Sequence, residues 1–225
     1  MQRAACQGSG DFRIEHRVRV PGQKPIIGLC GGIAAGKSVV ADLLSARGAG
    51  VIDSDALSHA ELLEPDVIQQ LRAWWGSAAF GPDGRVDRSA VASIVFADPR
   101  QNERLKALIY PRIAARRRRQ IAEMQRDPAV GLIVLNSPLL FEAGLDAECD
   151  AVVFVDADRA IRLERAARTR GWSADELDRR EKAQIPLDNK RARADYIVSN
   201  NSGIEEFCRT IEELYPRLLA GRSEA

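Results

Sequence analysis

Residues 26–40 read I-I-G-L-C-G-G-I-A-A-G-K-S-V-V, and the fold class follows from them. An apolar run through Ile26, Ile27 and Leu29 ends at Gly31 and Gly32, and Gly36, Lys37 and Ser38 open a helical pattern. From Gly31 to Ser38 this is G-x-x-x-x-G-K-S, with a strand before it and a helix after it, the context the motif requires. The chemistry of phosphate accounts for each part. Glycines let the backbone curl until successive N–H groups point inward, and the start of the helix adds partial positive charge. Lys37 is placed to reach the outer phosphates of a nucleoside triphosphate such as ATP, and the Ser38 hydroxyl to ligate Mg²⁺. Gly31, Gly32, Ile33, Ala34, Ala35, Gly36 and, just past the serine, Val39 complete the candidate nucleotide cradle. A glycine-rich turn arising by chance is the alternative, and the flanking strand and helix count against it. The expectation is an α/β fold of the P-loop NTPase type, a parallel sheet flanked by helices.

Composition narrows the class further. Hydrophobic residues make up 45% and charged residues 29% of the 225, ordinary values for a globular chain with one α/β domain and insertions. A formal net charge of +1 argues against broad, non-specific binding of nucleic acid. Cys6, Cys30, Cys149 and Cys208 stand far apart, and only His16 and His59 could join them, so neither a zinc signature nor a disulfide framework is present. No apolar run has the length of a membrane span. Residues 1–24 are polar and lack the apolar stretch of a signal peptide, which predicts a flexible N-terminal extension and a cytoplasmic protein.

The nucleotide loop is followed by G-A-G-V-I-D-S-D, a turn and a short buried strand that delivers Asp53 and Asp55. Ligands of open parallel sheets sit at the carboxyl ends of the strands, so this acidic pair faces the phosphates. Such a carboxylate can orient Mg²⁺ through water or accept the proton of an attacking hydroxyl. Either aspartate could instead cap the next helix, more so Asp53 than Asp55. Residues 56–126 then run helical without a strand signal, too long for a simple crossover, and predict a helical insertion over about 57–126 where an acceptor would be held. Within it, Arg116, Arg117, Arg118 and Arg119 cover every face of a helix, so at least one arginine belongs near the core boundary and the others in solvent, with binding of an acceptor phosphate as the alternative. L-I-V-L-N at 132–136 and A-V-V-F-V at 151–155 read as further buried strands, and Asp156 as the cap of the helix after the second. Arg162, Arg165, Arg168 and Arg170 then cluster at helical spacing, the composition of a lid over about 162–190 that offsets charge on a transferring phosphoryl group. Ion pairing on a surface helix with Glu164 and Glu176 is the competing account. D-Y-I-V-S at 195–199 is the last strand, and the turn that follows brings Asn200 and Asn201 to where the adenine could lie. An amphipathic helix over 204–219 ends the domain of residues 25–219, with a short tail at 220–225.

The order of these motifs resembles the dephospho-coenzyme A kinase family. The resemblance spans about residues 26–219 and rests on G-L-C-G-G-I-A-A-G-K-S, V-I-D-S-D, F-G-P-D-G-R-V-D-R with V-F-A-D, and S-P-L-L-F-E-A-G-L. It continues through R-G-W-S-A-D-E-L-D-R-R-E-K-A-Q-I-P-L-D-N-K and A-D-Y-I-V-S-N-N-S-G. It implies transfer of the γ-phosphate of ATP to the ribose 3′-hydroxyl of dephospho-coenzyme A, with Mg²⁺, on a nucleoside-kinase-like core. It also implies Asp55 as catalytic aspartate and metal neighbour, Lys37 and Ser38 as phosphate and Mg²⁺ residues, and Arg168 or Arg170 as the lid arginine. The chain departs from the family pattern at three places. Ala34 and Ala35 stand where the loop usually has Gly-Ser, and Ala34 suits the loop if its φ is negative. Tyr110-Pro111 replaces a usual His-Pro, and Asn136 lies where an acidic residue is common, leaving Asp55 as the main carboxylate near the metal. The alternatives are another small-molecule nucleoside or nucleotide kinase of this fold, or a non-catalytic nucleotide-binding protein.

Overall fold

A computed structural model describes residues 22–220. Most of the extension expected over residues 1–24 and of the tail over 220–225 falls outside the described residues. Five strands, β1 (Ile26–Gly31), β2 (Ala49–Asp53), β3 (Leu132–Asn136), β4 (Ala151–Asp156) and β5 (Tyr196–Ser199), form one sheet in the order β2-β3-β1-β4-β5. Every pairing is parallel, and the register sets Leu29 beside Asn136 and Val153, and Asp53 beside Asn136. All the strand ends that carry polar residues therefore open on one edge.

A parallel sheet covered on both faces needs strands that are apolar throughout, because alternate residues point to opposite sides. Ile27, Leu29, Leu132, Val134, Val153 and Val155 point to one face, where they pack with Val40, Leu44, Phe207 and Ile211. Those partners lie on α1 (Lys37–Ser45) and α9 (Ile204–Ala220). Cys30, Ile133, Leu135, Val152 and Phe154 point to the other face. There they meet Leu57, Val67, Leu71, Val91, Leu105 and Ile109, from a run of four helices: α2 (Ser54–Glu61), α3 (Pro65–Trp75), α4 (Arg88–Ala97) and α5 (Pro99–Arg126). The expected helical stretch between β2 and β3 is present, and it shares the core of the sheet's second face.

In α5 the buried stripe is Leu105, Ile109, Ile113 and Arg117, spaced by four. Of the arginine run, Arg117 is the one at the core, held by Glu148 at 2.7 Å. Arg116 grips Glu61 on α2 at 2.8 Å, and Arg119 is exposed. Pro111 lies inside α5, removing one backbone donor without ending the helix. After β4 come α6 (Arg159–Arg170), α7 (Ala174–Glu181) and α8 (Leu187–Ala192), which return the chain to β5. Among the described residues no helix is long and apolar enough to cross a membrane.

Candidate active site

The loop between β1 and α1 occupies the middle of the carboxyl edge. Glycine is required at two of its positions. At Gly31 (φ 147°) an added Cβ would lie 2.4 Å from the Val155 carbonyl, and at Gly36 (φ 104°) 2.2 Å from the Asn200 amide nitrogen. Gly36 precedes α1 without a side-chain cap, so the first N–H groups of the helix remain available to an anion. Ser38 and Val39 are exposed on that first turn, while Ile33 and Ala35 are buried. Ala34 corrects the expectation of a negative φ. At +59° it is the one non-glycine residue in the left-handed region among the described residues. The curl of the loop forces that conformation.

The Lys37 ammonium lies within the loop's curve, donating to the carbonyls of Gly31 (3.0 Å) and Gly32 (2.8 Å). Burial pushes it down to about 8, with the Lys190 and Arg170 charges adding to that effect and Asp55 opposing it. A triphosphate would reverse the balance by offering several negative oxygens to a cation already in place.

β2 ends with its last residue as a helix cap. Asp53 accepts from the Ala56 N–H at 2.8 Å, and its other oxygen accepts from the Asn136 side-chain amide at 2.8 Å. Both oxygens of Asp53 are thereby engaged within the protein. Asp55, on the first turn of α2, is instead open to solvent at the sheet edge. Partial desolvation raises its carboxyl above the ordinary range, Asp53 adds to the rise, and His59, Lys37 and Arg170 oppose it. His59 stands four residues after Asp55, on the same face of α2. That spacing was the signal for a His59 contribution, and the sequence reading did not use it. Asn136 is 8% exposed, and its side-chain oxygen has no partner.

The four arginines of α6 differ in their surroundings. Arg162 is buried against Glu181 and donates to the Ala157 carbonyl at 2.9 Å, backing the loop at Gly32. Arg165 donates to the Asn200 carbonyl at 3.2 Å and reaches Ala35 at 3.4 Å. Arg168 is exposed. Arg170, at the end of the helix, lies over the Trp172 ring at 4.8 Å, with Arg180 on the same ring at 4.1 Å. The Arg170 charge acts on both Lys37 and Asp55. Glu176 pairs with Arg179 and Arg180 on its own helix, not with α6.

One further placement differs from the sequence expectation. Asp156 does not cap α6; it pairs with Arg191 at 3.2 Å, and Asp158 precedes the helix. The two extra residues between strand and helix account for the shift. In the turn after β5, Asn200 donates to the Ala35 carbonyl at 2.7 Å, and Asn201 exchanges hydrogen bonds with Asp158. Asn200 thus braces the nucleotide loop, and Asn201 the start of α6.

A family model described as Dephospho-CoA kinase matches residues 25–206. This chain belongs to the dephospho-CoA kinase family. Membership makes it an ATP-dependent kinase of coenzyme A synthesis. A dephospho-CoA kinase of Anaeromyxobacter dehalogenans is 41% identical over 88% of this chain and 93% of its own length. One from Corynebacterium glutamicum is 36% identical over 86% and 97%. A crystal structure from Thermus thermophilus, 34% identical, superimposes with a TM-score of 0.74 over 87% of this chain and 98% of that one. The dephospho-CoA kinase of Campylobacter jejuni, 20% identical, shares the fold with a TM-score of 0.64.

Proposed function

We propose that this dephospho-CoA kinase moves the γ-phosphate of ATP to the ribose 3′-hydroxyl of dephospho-CoA in the cytoplasm, with Asp55 as the base. The observation that carries the assignment of roles is the convergence of three charges from three elements. Lys37 of α1, Asp55 of α2 and Arg170 of α6 are each within electrostatic reach of the others at the carboxyl edge of the sheet. Asp55 accepts the hydroxyl proton as the new O–P bond forms and the bond to the bridging oxygen of ADP breaks. Lys37 and the α1 N–H groups neutralise the phosphates. Arg170 is the lid arginine, steadied by Trp172, in preference to Arg168. Helices α2 to α5 hold the acceptor, and residues 162–190 form the lid.

Mg²⁺ fits the groups present. Among the described residues no cluster of three or more His, Cys, Asp or Glu side chains forms a closed cage. Mg²⁺ keeps several waters and takes substrate phosphate oxygens, so one hydroxyl and one open carboxylate suit it. Ser38 and Asp55 would hold it, and it would draw charge from the β- and γ-phosphates.

The test is ATP consumption by the parent with dephospho-CoA beside adenosine, AMP and pantothenate, repeated with Asp55→Asn. Turnover with dephospho-CoA alone is expected, and Asp55→Asn should still bind ATP while losing about a hundredfold or more in kcat. Near-parental turnover by Asp55→Asn, with Asp53→Asn folded and inactive, would exchange the two roles.

A further inference from the structure

Lys190 is fully buried, although Asp188, Asn189, Arg191 and Ala192 around it are exposed. An ammonium has three donors, and each is matched here. It donates to the Pro138 carbonyl at 2.9 Å and to the Gln184 side-chain oxygen at 2.9 Å, and it is ion-paired with Glu142 at 2.8 Å. Glu142 also accepts from the Ile185 N–H at 2.9 Å. Pro138 and Glu142 belong to the loop S-P-L-L-F-E that leaves β3, whereas Gln184 and Ile185 belong to the turn between α7 and α8. One buried side chain therefore ties the loop at the carboxyl end of β3 to the returning root of the α6–α8 excursion.

Nearby cations extend the tie. Arg191 pairs with Asp156 at the end of β4, and Arg193 pairs with Asp146 while lying 4.1 Å over the Phe141 ring. Ile185 and Leu187 pack on the core of the sheet's second face. A buried ion pair is weak evidence for stability, since apolar residues of similar size often serve as well, but it fixes one geometry among many. The geometry fixed here is that of the lid root against the acceptor side of the site.

We propose that Lys190, with Glu142 and Gln184, pins the lid root to the loop after β3 and so sets Arg170 in register with the acceptor. These are positioning residues, and the assignment rests on residues 162–190 being the lid. Misplacement of a reacting group by an ångström slows reaction steeply even when the altered residue is remote. None of the pin's direct contacts runs to the nucleotide loop or α1; the Lys190 charge acts on Lys37 through space, and removing the Glu142 charge together with it leaves the local net charge unchanged.

The experiment uses the full chain and three forms: parent, Lys190→Met, and Lys190→Met with Glu142→Gln, which removes both charges and keeps an acceptor for Ile185. Three readouts are taken: steady-state kinetics, the melting temperature, and trypsin cleavage at exposed Arg168 and Lys182 with and without ATP. The double variant is expected to melt close to the parent, since no charge is left unpaired. Its kcat should fall about ten- to hundredfold, with the KM for ATP within about twofold of the parent. ATP should protect the lid of the parent from trypsin and fail to protect that of the double variant. Parental kcat in a well-folded double variant would overturn the proposal. If the parent does not phosphorylate dephospho-CoA, the substrate assignment fails separately. Trypsin protection then judges the pin alone: its loss in the double variant supports the pin, and its retention overturns it.

Discussion

At the scale of single residues, the loop carries its own strain. Ala34 at φ +59° occupies a conformation that costs an alanine about 1 kcal/mol or more. Glycine would remove that cost and give back part of it through the greater freedom of the unfolded chain. Ala34→Gly should therefore stabilise the protein by about 0.5 kcal/mol, raising the melting temperature by about 1–2 °C. Calorimetry settles the sign; a lower melting temperature would mean that the stiffness of alanine outweighs the strain. Asp55 gives a second test through pH. Its carboxyl is raised first by desolvation and next by Asp53, and the base works only when ionised, so activity falls as pH drops through that raised value. Asp53→Asn keeps a good helix cap and removes the neighbouring charge. The acid limb of kcat/KM should move to lower pH, and an unmoved limb would remove Asp55 from the role of base. The positions of Lys37, Ser38 and Asp55 at the starts of α1 and α2 were legible in the sequence because motif spacing and a strand end define them. The φ of Ala34 and the burial of Lys190 were not legible. The first is set by loop closure, and the second by partners 6 to 52 positions away.

At the scale of elements, the strands were legible almost to the residue. A strand buried on both faces is a short continuous apolar run bounded by polar residues, and β3 and β4 are both of that kind. The start of α6 was less so. Asp156 and Asp158 are both plausible before a helix, and pairing of Asp156 with Arg191 is a contact that no local pattern encodes. The end of α6 is where the two arginines separate. Both are exposed, but Arg170 lies over the Trp172 ring and its charge acts on Lys37 and Asp55. A guanidinium that meets charge developing during transfer affects turnover more than nucleotide affinity. Arg170→Ala should lower kcat by about a hundredfold with little change in ATP affinity, and Arg168→Ala should be nearly silent. Comparing single-turnover rates with fluorescent nucleotide titrations of both variants checks this, and equal small effects would return α6 to a solvated face.

At the scale of the whole molecule, nucleotide binding should be visible as stability. A ligand that binds only the folded chain adds about 2.7 kcal/mol at a hundredfold excess over its Kd, worth about 5–10 °C in a domain of this size. ATP should raise the melting temperature of the parent by that amount and of Lys37→Ala by much less. A shift of equal size in both would place the nucleotide elsewhere than the loop. The order of the strands was beyond sequence reading, since alternating strands and helices are compatible with several orders of a parallel sheet. The order observed puts β1, the first strand among the described residues, in the middle, between β3 and β4. Its two neighbours comprise residues 132–136 and 151–156. During synthesis at about 5–20 residues per second, the nascent chain thus waits several seconds before β1 finds either flank. Through that interval the apolar Ile27, Leu29 and Cys30 emerge from the ribosome with no sheet to join. The phosphate loop therefore takes shape only after strands more than a hundred positions downstream of it have been made.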